Sequence, residues 1–166
     1  MCPDKINVLF LGKANSARSI MAEAILNAIG AQRFRAFSAG SHPSGTIDPH
    51  AMRQLQERRI PVEGLHSKSW EDFSHPRALC MHFVFSVCDS VSWHACPIWS
   101  GIPMAAHWGL PDPTAATGGQ LAVEQAFANM YKVLYQRISL LIKVDVGINL
   151  PALQLRLDEI GRAGGF

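Results

Sequence analysis

The pattern of apolar and polar positions in the first third of the chain predicts alternating strands and helices. Residues 6–11 form a continuous apolar run, typical of a strand covered on both faces, and residues 19–29 then carry apolar side chains at helical spacing. Residues 34–39 predict a second strand. Asp48 and Pro49 follow it as the expected N-cap and first position of a second helix. This order of strand, helix, strand and helix favours parallel pairing of the strands.

The rest of the chain continues the alternation. Residues 69–72 resemble a capping box and predict a short helix, and two further strands are predicted at 82–87 and 104–108. Apolar residues within 120–144 trace one wide face, which is the strongest helical signal in the chain. A shorter apolar repeat predicts a terminal helix at about 151–162. The sequence therefore predicts an α/β fold, with a doubly wound, mostly parallel four-stranded sheet flanked by helices.

The length and composition of the chain fit one domain. Its 166 residues are 48% hydrophobic and 17% charged, which is enough to bury roughly 70% of the surface of the unfolded chain around one core. We therefore expect a single domain over residues 1–166, with a core at about 6–145 and a short C-terminal helix after it.

Charge and hydropathy exclude several classes of partner. The net charge is +2 and the basic residues are scattered, so neither a nucleic acid nor an anionic lipid surface is an expected partner. No apolar run approaches the length of about 18 residues that a membrane span needs, and the first residues lack the features of a signal peptide. The four cysteines have no disulfide-dense spacing, which is typical of reduced thiols. These features predict a cytoplasmic protein with small partners.

The loop between the first strand and the first helix has the build of an oxyanion-binding site. Such a loop directs several backbone N–H groups and the positive end of the helix dipole at one point. Arg18 can add two parallel hydrogen bonds to an anion held there, and Asn15 can tie the loop to itself. The hydroxyl groups of Ser16 and Ser19 are candidates to cap the helix or to bind the anion. The candidate oxyanion-binding residues are Gly12, Lys13, Ala14, Asn15, Ser16, Ala17, Arg18 and Ser19. From spacing alone, an ordinary turn with a solvated arginine is an equal alternative.

A family resemblance favours the oxyanion site over the ordinary turn. Residues 15–23, NSARSIMAE, closely resemble the signature of the low-molecular-weight tyrosine phosphatases and their arsenate reductase relatives. Further short motifs resemble the arsenate reductase branch, in order and at suitable spacings, at residues 38–41, 67–70, 87–89, 96–97 and 107–113. The resemblance covers about residues 6–162. It implies the fold of the low-molecular-weight phosphatases, with an anion bound at the carboxyl ends of the first and third strands.

The resemblance also assigns roles to individual residues. In that family a loop cysteine attacks arsenate or a phosphoester, an arginine six positions later clamps the oxyanion, and an aspartate followed by proline protonates the leaving group. The last two roles fall on Arg18 and Asp112, whereas Gly12 stands at the position of the cysteine. Lys13 and Ala14 also depart from the family pattern. Because losing a nucleophile costs on the order of 10⁴ to 10⁶ in kcat, the expected protein is a catalytically impaired arsenate- or phosphate-binding pseudoenzyme.

Another thiol is the alternative nucleophile. Cys2 and Cys80 precede strands and so belong at the wrong edge of a parallel sheet, whereas Cys88 ends the third strand at the edge where the anion is expected. The resemblance implies that Cys88 and Cys96 pass a disulfide to an external reductant, either thioredoxin, glutaredoxin or a low-molecular-weight thiol. The residues themselves are equally typical of two half-buried small apolar side chains.

Three functions therefore stay open. The first is an impaired oxyanion-binding member of the family, and the second is an active thiol-dependent arsenate reductase that uses Cys88 and Cys96. The third is a non-catalytic oxyanion or arsenite sensor, or a partner-binding module. No cofactor is expected, and no metal site is predicted, because the two cysteines and His94 lack the spacing of zinc ligands.

Overall fold

The computed structural model describes residues 5–89 and 96–164, so the predictions made for Cys2 and His94 fall outside the described residues. Strands and α-helices alternate as the sequence predicts. They are β1 (Ile6–Gly12), α1 (Arg18–Ile29), β2 (Phe34–Gly40), α2 (Pro49–Glu57), β3 (Phe83–Ser86), β4 (Met104–His107), α3 (Gln120–Leu141) and α4 (Leu150–Ile160). The described part of the chain also contains short 3₁₀ helices at Trp70–Phe73 and Pro113–Ala115.

The four strands form one sheet in the order β2-β1-β3-β4, and all three pairings are parallel. β1 lies inside the sheet, where its continuous apolar run is buried on both faces. Parallel pairing places the carboxyl ends of all four strands at one edge, here called the carboxyl edge. The predicted α/β class and parallel four-stranded sheet are confirmed.

Alternate residues of β1 belong to two separate cores, as the two-residue period of a strand requires. Val8 and Phe10 pack into a large cluster with buried side chains from all four α-helices. Leu9 and Leu11 pack on the opposite face in a smaller cluster, here called the second core. It includes Trp70 from the first 3₁₀ helix and four buried side chains that follow it in sequence, those of Met81, Val84, Cys88 and Trp99.

The ends of some elements differ from the predicted ones. The long helix is predicted over 120–144 but ends at Leu141. The guanidinium of Arg33 donates hydrogen bonds to the carbonyl oxygens of Ile142 and Val144 at 2.7 and 3.0 Å, so this apolar stretch satisfies its carbonyl groups outside a helix. Within residues 5–89 and 96–164, no helix is both long enough and apolar enough to cross a membrane.

Helix α4 covers the outer edge of the sheet at β4. The amide of Gln154 donates to the carbonyl oxygen of Ala105 in β4 at 2.9 Å, which occupies an acceptor of the edge strand. The indole N–H of Trp108 donates to the carbonyl oxygen of Leu157 at 3.0 Å. The side chains of Leu153, Leu157 and Ile160 are buried. Helix α4 is therefore part of the folded domain.

We expect Leu157→Ala to lower the free energy of unfolding by about 2–5 kcal/mol, because it leaves a cavity at a fully buried position. Leu155 is on the same helix and is 58% exposed, so Leu155→Ala is the matched control, expected to stay within about 1 kcal/mol. Urea unfolding of the two variants checks the difference. Equal, small losses in both would mean that α4 contributes little to the core.

Candidate functional site

A cavity of about 340 Å³ lies at the carboxyl edge of the sheet. It is lined by all eight predicted loop residues, 12–19, together with Asp112 and Thr114. The structure thus brings the predicted loop, Arg18 and Asp112 to one place, although almost a hundred residues of sequence separate the two charged groups. Thr114 was not predicted from the sequence, where it reads as an ordinary turn residue after the Asp-Pro pair.

The N-terminus of α1 opens into this cavity. The helix begins at Arg18, and its N-cap is Ala17, which has no side-chain hydroxyl or carboxyl to accept from the first turn. Of the two roles expected for Ser16 and Ser19, capping of this helix is therefore not the one observed, and the hydroxyl of Ser19 accepts from the amide of Asn15. The first turn also contains no acidic residue. Its N–H groups and dipole are consequently available to an anion.

Asn15 holds the loop in shape. Its backbone is in the left-handed region, with φ at +47°, a conformation that asparagine adopts more easily than most residues. Its amide nitrogen donates to the hydroxyl oxygens of Ser19 and Ser38 at 2.9 and 3.0 Å, and its amide oxygen accepts from the N–H of Lys68 at 2.9 Å. The predicted role of Asn15 in tying the loop is confirmed, and its amide also fastens the loop to β2 and to the segment before the 3₁₀ helix.

A buried ion pair lies beneath the loop. The ammonium nitrogen of Lys68 is 3.6 Å from a carboxylate oxygen of Glu23, and each side chain is only 10% exposed. The hydroxyl of Ser38 donates to that same carboxylate oxygen at 2.9 Å. Burial raises the pKa of Glu23, although the charge of Lys68 opposes the rise, and burial lowers the pKa of Lys68 against the pull of Glu23. The pair links α1 to the segment that holds Asn15.

Arg18 is fixed at one side of the cavity. One terminal nitrogen of its guanidinium donates to the carbonyl oxygen of Leu110 at 2.9 Å, and the side chain is half-buried. A guanidinium has five N–H groups, so this contact leaves others for a ligand. A planar donor held in one orientation can bind two oxygens of one tetrahedral anion.

Asp112 lines the same cavity and is the N-cap of the short helix Pro113–Ala115. Its Oδ1 accepts from the N–H of Thr114 at 2.9 Å and from the Thr114 hydroxyl at 2.6 Å. Partial burial raises the pKa of Asp112, but the two Thr114 hydrogen bonds and the charge of Arg18 lower it further than burial raises it. The carboxyl group is therefore ionised near neutral pH.

Gly12 lines the cavity at the end of β1, at the position to which the resemblance assigns the nucleophile. A Cβ atom built there lies 3.2 Å from the hydroxyl oxygen of Ser19 and 3.7 Å from its Cβ, a close contact that a shift of the serine by a few tenths of an ångström relieves. Gly40, paired with Gly12 in the sheet, is different. A Cβ there would lie 2.4 Å from the carbonyl oxygen of Lys13, so only glycine fits. Position 12 can therefore hold a side chain, whereas position 40 cannot.

The predicted cysteine pair lies outside the cavity. Cys88 follows β3 at the carboxyl edge, as predicted, but it is only 3% exposed and belongs to the second core. Cys96 packs against the same cluster. Burial raises the pKa of the Cys96 thiol, although a hydrogen bond with Trp99 opposes the rise. The two thiols share one apolar cluster, and their redox role stays a prediction.

A Ser–His–Asp set lies next to Cys88 and was missed from the sequence. Nδ1 of His107 is 2.5 Å from the hydroxyl oxygen of Ser86, and its Nε2 is 2.8 Å from a carboxylate oxygen of Asp89. Ser86 is fully buried, so its hydroxyl is not presented to a ligand. The set fastens the residue after Cys88 to the end of β4.

The described residues contain no group of three or more side chains suited to bind a metal ion.

Comparison with known proteins agrees with this geometry. The family model described as low molecular weight phosphotyrosine protein phosphatase matches residues 7–146. An arsenate reductase from Shouchella clausii is 30% identical over 112 residues, which are 67% of this chain and 76% of that protein. Arsenate reductase 1 from Staphylococcus epidermidis is 28% identical over 109 residues, which are 66% of this chain and 79% of that protein.

Solved structures give the same grouping. One described as an arsenate reductase in the phosphate binding state superposes with a TM-score of 0.66 and 26% identity, covering 82% of this chain and 96% of that one. A low-molecular-weight tyrosine phosphatase from T. tengcongensis superposes with a TM-score of 0.64 at 20% identity, covering 84% of this chain and 99% of that one, and supports the fold alone.

Proposed function

Because this chain belongs to the low molecular weight phosphotyrosine protein phosphatase family, in its arsenate reductase branch, we propose that it binds arsenate- and phosphate-like oxyanions in the cavity of residues 12–19. We propose further that it lacks the covalent step of its relatives, because Gly12 offers no attacking atom. The main support is the joint geometry of the uncapped first turn of α1 and the Arg18 guanidinium, which line the same cavity.

The fixed shape of the loop supports binding without catalysis. Asn15 uses both ends of its amide to hold the loop, so the N–H groups are arranged before a ligand arrives. Such preorganisation stabilises a bound anion whether or not a reaction follows. The hydroxyl of Ser16 has no adjacent base among the described contacts, so it does not replace a thiolate.

A thiol-dependent reductase that uses Cys88 and Cys96 is the second candidate. Its support is that both cysteines pack in one cluster, next to the strand that ends at Gly12. In that reaction arsenate would be reduced to arsenite by two electrons while the two thiols became a disulfide. The burial of Cys88 outside the cavity makes this candidate weaker than oxyanion binding, since the attacking sulfur must reach the arsenic.

We expect Arg18→Ala to weaken the binding of inorganic phosphate and arsenate by about 100-fold or more, because hydrogen bonds to a charged group contribute about 1.5–3 kcal/mol each. Arg18→Lys keeps the charge but loses the planar pair of donors, so its affinity is expected to fall between the two. Isothermal titration calorimetry on the full chain measures all three dissociation constants.

Arg156→Ala is the matched control, because that arginine is on α4 and pairs with Glu159 at the surface. It is expected to leave phosphate affinity unchanged. Phosphate binding that survives Arg18→Ala intact would contradict the proposed site. The unmodified chain is also tested for arsenate-dependent thiol oxidation, which separates oxyanion binding from the reductase candidate.

A further inference from the structure

Asp112 places a fixed negative charge in a cavity whose other charged groups favour an anion. We propose that this carboxylate makes the cavity selective for oxyanions that carry a proton, such as phosphate and arsenate, over sulfate, which carries none near neutral pH. The inference rests on the proposed oxyanion-binding function and adds the residue that determines its specificity.

The orientation of the carboxylate is set by its own short helix. Both Thr114 donors, the backbone N–H and the hydroxyl, bind the same oxygen, Oδ1. Among the contacts of the described residues, this arrangement leaves Oδ2 as the oxygen for a ligand. Pro113 fixes the backbone immediately after Asp112, so the carboxylate is held at the cavity wall. Its position therefore does not depend on a ligand.

An ionised carboxylate can only accept hydrogen bonds. The Thr114 contacts and the charge of Arg18 keep the pKa of Asp112 below its usual range despite the opposing effect of partial burial. A ligand oxygen that approaches Oδ2 must therefore carry a hydrogen. Phosphate and arsenate keep at least one hydroxyl near neutral pH, whereas every oxygen of sulfate is an acceptor that the carboxylate repels.

The same cavity supplies donors for the remaining oxygens of the anion. The N–H groups of the first turn of α1 and the free N–H groups of Arg18 match the unprotonated oxygens of phosphate or arsenate. One acceptor together with several donors in one cavity thus favours an anion that has one protonated oxygen. A site built around a ligand hydroxyl rejects analogues that lack it.

This role does not require a nucleophile. With Gly12 at the end of β1, no thiolate attacks the anion and no leaving group forms for Asp112 to protonate, yet its carboxylate still lines the cavity. A specificity role therefore explains why a firmly held acceptor remains in a cavity without an attacking atom.

Calorimetric titration of the full chain with inorganic phosphate, arsenate and sulfate near neutral pH tests the inference. We expect phosphate and arsenate to bind about 10-fold or more tightly than sulfate, the ratio that a difference of about 1.4 kcal/mol produces. Asp112→Asn keeps a good N-cap residue but can donate to sulfate, so its sulfate affinity should rise to within about 3-fold of its phosphate affinity. Thr114→Val removes only the hydroxyl contact to Oδ1 and should reduce the discrimination in part.

Asp145→Asn is the matched control. Asp145 also accepts a backbone N–H through Oδ1, from Gly147 at 2.8 Å, but it follows α3 at the opposite edge of the sheet. It should leave the ratio of affinities unchanged. Sulfate binding as tight as phosphate binding in the unmodified chain, still dependent on Arg18, would overturn this inference and leave the proposed function standing.

Two other outcomes are also decisive. A loss of phosphate binding in Asp112→Asn without any gain for sulfate would make Asp112 a structural residue and overturn the inference. Failure of all three anions to bind the unmodified chain would overturn the proposed function, and the specificity role with it.

Discussion

Gly12→Cys is expected to give this chain an arsenate-dependent thiol oxidation at least about 10⁴-fold above the unmodified protein, since loss of a nucleophile costs that much or more in related cases of concerted catalytic groups. Position 12 has space for the side chain, because a Cβ atom there has only Ser19 as a close neighbour. The distance from this Cβ to the Ser19 hydroxyl oxygen is 3.2 Å. The sulfur would enter the cavity beside the first turn of α1. That environment lowers the pKa of a thiol and increases the fraction of thiolate.

The geometry around position 12 supplies the other parts of the reaction. Arg18 is already held by the carbonyl oxygen of Leu110, and Asn15 already fixes the loop. The thiolate would attack arsenic with loss of water from the protonated anion. A supplied thiol would then attack the sulfur of the new cysteine, forming a mixed disulfide and releasing arsenite as arsenic gains two electrons. A second supplied thiol would attack the mixed disulfide, which restores the cysteine and releases the two supplied thiols as a disulfide.

Arsenite release and consumption of the supplied thiol are measured on the unmodified chain, Gly12→Cys, and Gly12→Cys combined with Arg18→Ala. Gly12→Ser is the matched control, because it adds a side chain of similar size whose hydroxyl is not activated. A Gly12→Cys protein that binds arsenate but does not turn it over would contradict the prediction. The divergence at Lys13 and Ala14 would then have altered the loop as well.

Turnover by the unmodified chain is the opposite contradiction. Activity well above that of Arg18→Ala would mean that another nucleophile reaches the arsenic, and Cys88→Ser would identify it. Cys88 is the candidate because the N–H of Val87, directly before it, donates to the carbonyl oxygen of Leu11, directly before Gly12, at 2.9 Å. The backbones are adjacent even though the Cys88 side chain is buried in the second core.

The features of the fold that are predictable from sequence are those that local pattern determines. Strand β1 is a continuous apolar run, and Asp48 and Pro49 begin α2 as predicted, with the carboxylate of Asp48 accepting the N–H of His50 at 2.8 Å. The end of α3 was not predictable, because it depends on Arg33, which is distant in sequence. Local chemistry thus determines where elements lie, and tertiary contacts determine where several of them end.

The candidate site divides in the same way. The loop residues follow one another in sequence, so a strand, a small-residue turn and Arg18 made an anion site as good an interpretation as an ordinary turn, and the family resemblance then favoured the anion site. The burial of Cys88 depends on which face of β3 packs against Trp70. Strand β3 has only four residues and all are buried, so its sequence has no alternation of apolar and polar positions that would predict this face. Thr114 was missed because its importance lies in two hydrogen bonds to Asp112 that any polar turn residue can make.

Lys68→Met is expected to lower the free energy of unfolding by about 3–5 kcal/mol, because removing one member of a buried ion pair leaves the other charge uncompensated. Glu23 and Lys68 are each 10% exposed, so water does not replace the lost partner. The substitution also removes the hydrogen bond of 2.9 Å that the Lys68 ammonium donates to the carbonyl oxygen of His66. The backbone N–H of Lys68 still binds Asn15, so the loop keeps one of its fastenings.

The pH dependence separates the charge effect from a packing effect. Burial already raises the pKa of Glu23 in the folded chain, and removal of Lys68 takes away the main opposing influence. When the pKa of a carboxyl is higher in the folded than in the unfolded chain, its contribution to stability is greatest at pH values below the unfolded pKa. This contribution is lost as the pH rises through the folded pKa. The loss in Lys68→Met should therefore be larger at about pH 8 than at about pH 5.

Urea unfolding of Lys68→Met, Glu23→Gln and the double variant measures the coupling between the two side chains. The double variant should be more stable than the sum of the two single losses predicts, by about 1–3 kcal/mol, because it leaves no buried charge unpaired. Lys132→Met is the matched control, since Lys132 is exposed on α3. Additive losses with no dependence on pH would mean that Lys68 contributes through packing of its aliphatic stem, and that the ion pair beneath the loop does not hold α1 against the segment carrying Asn15.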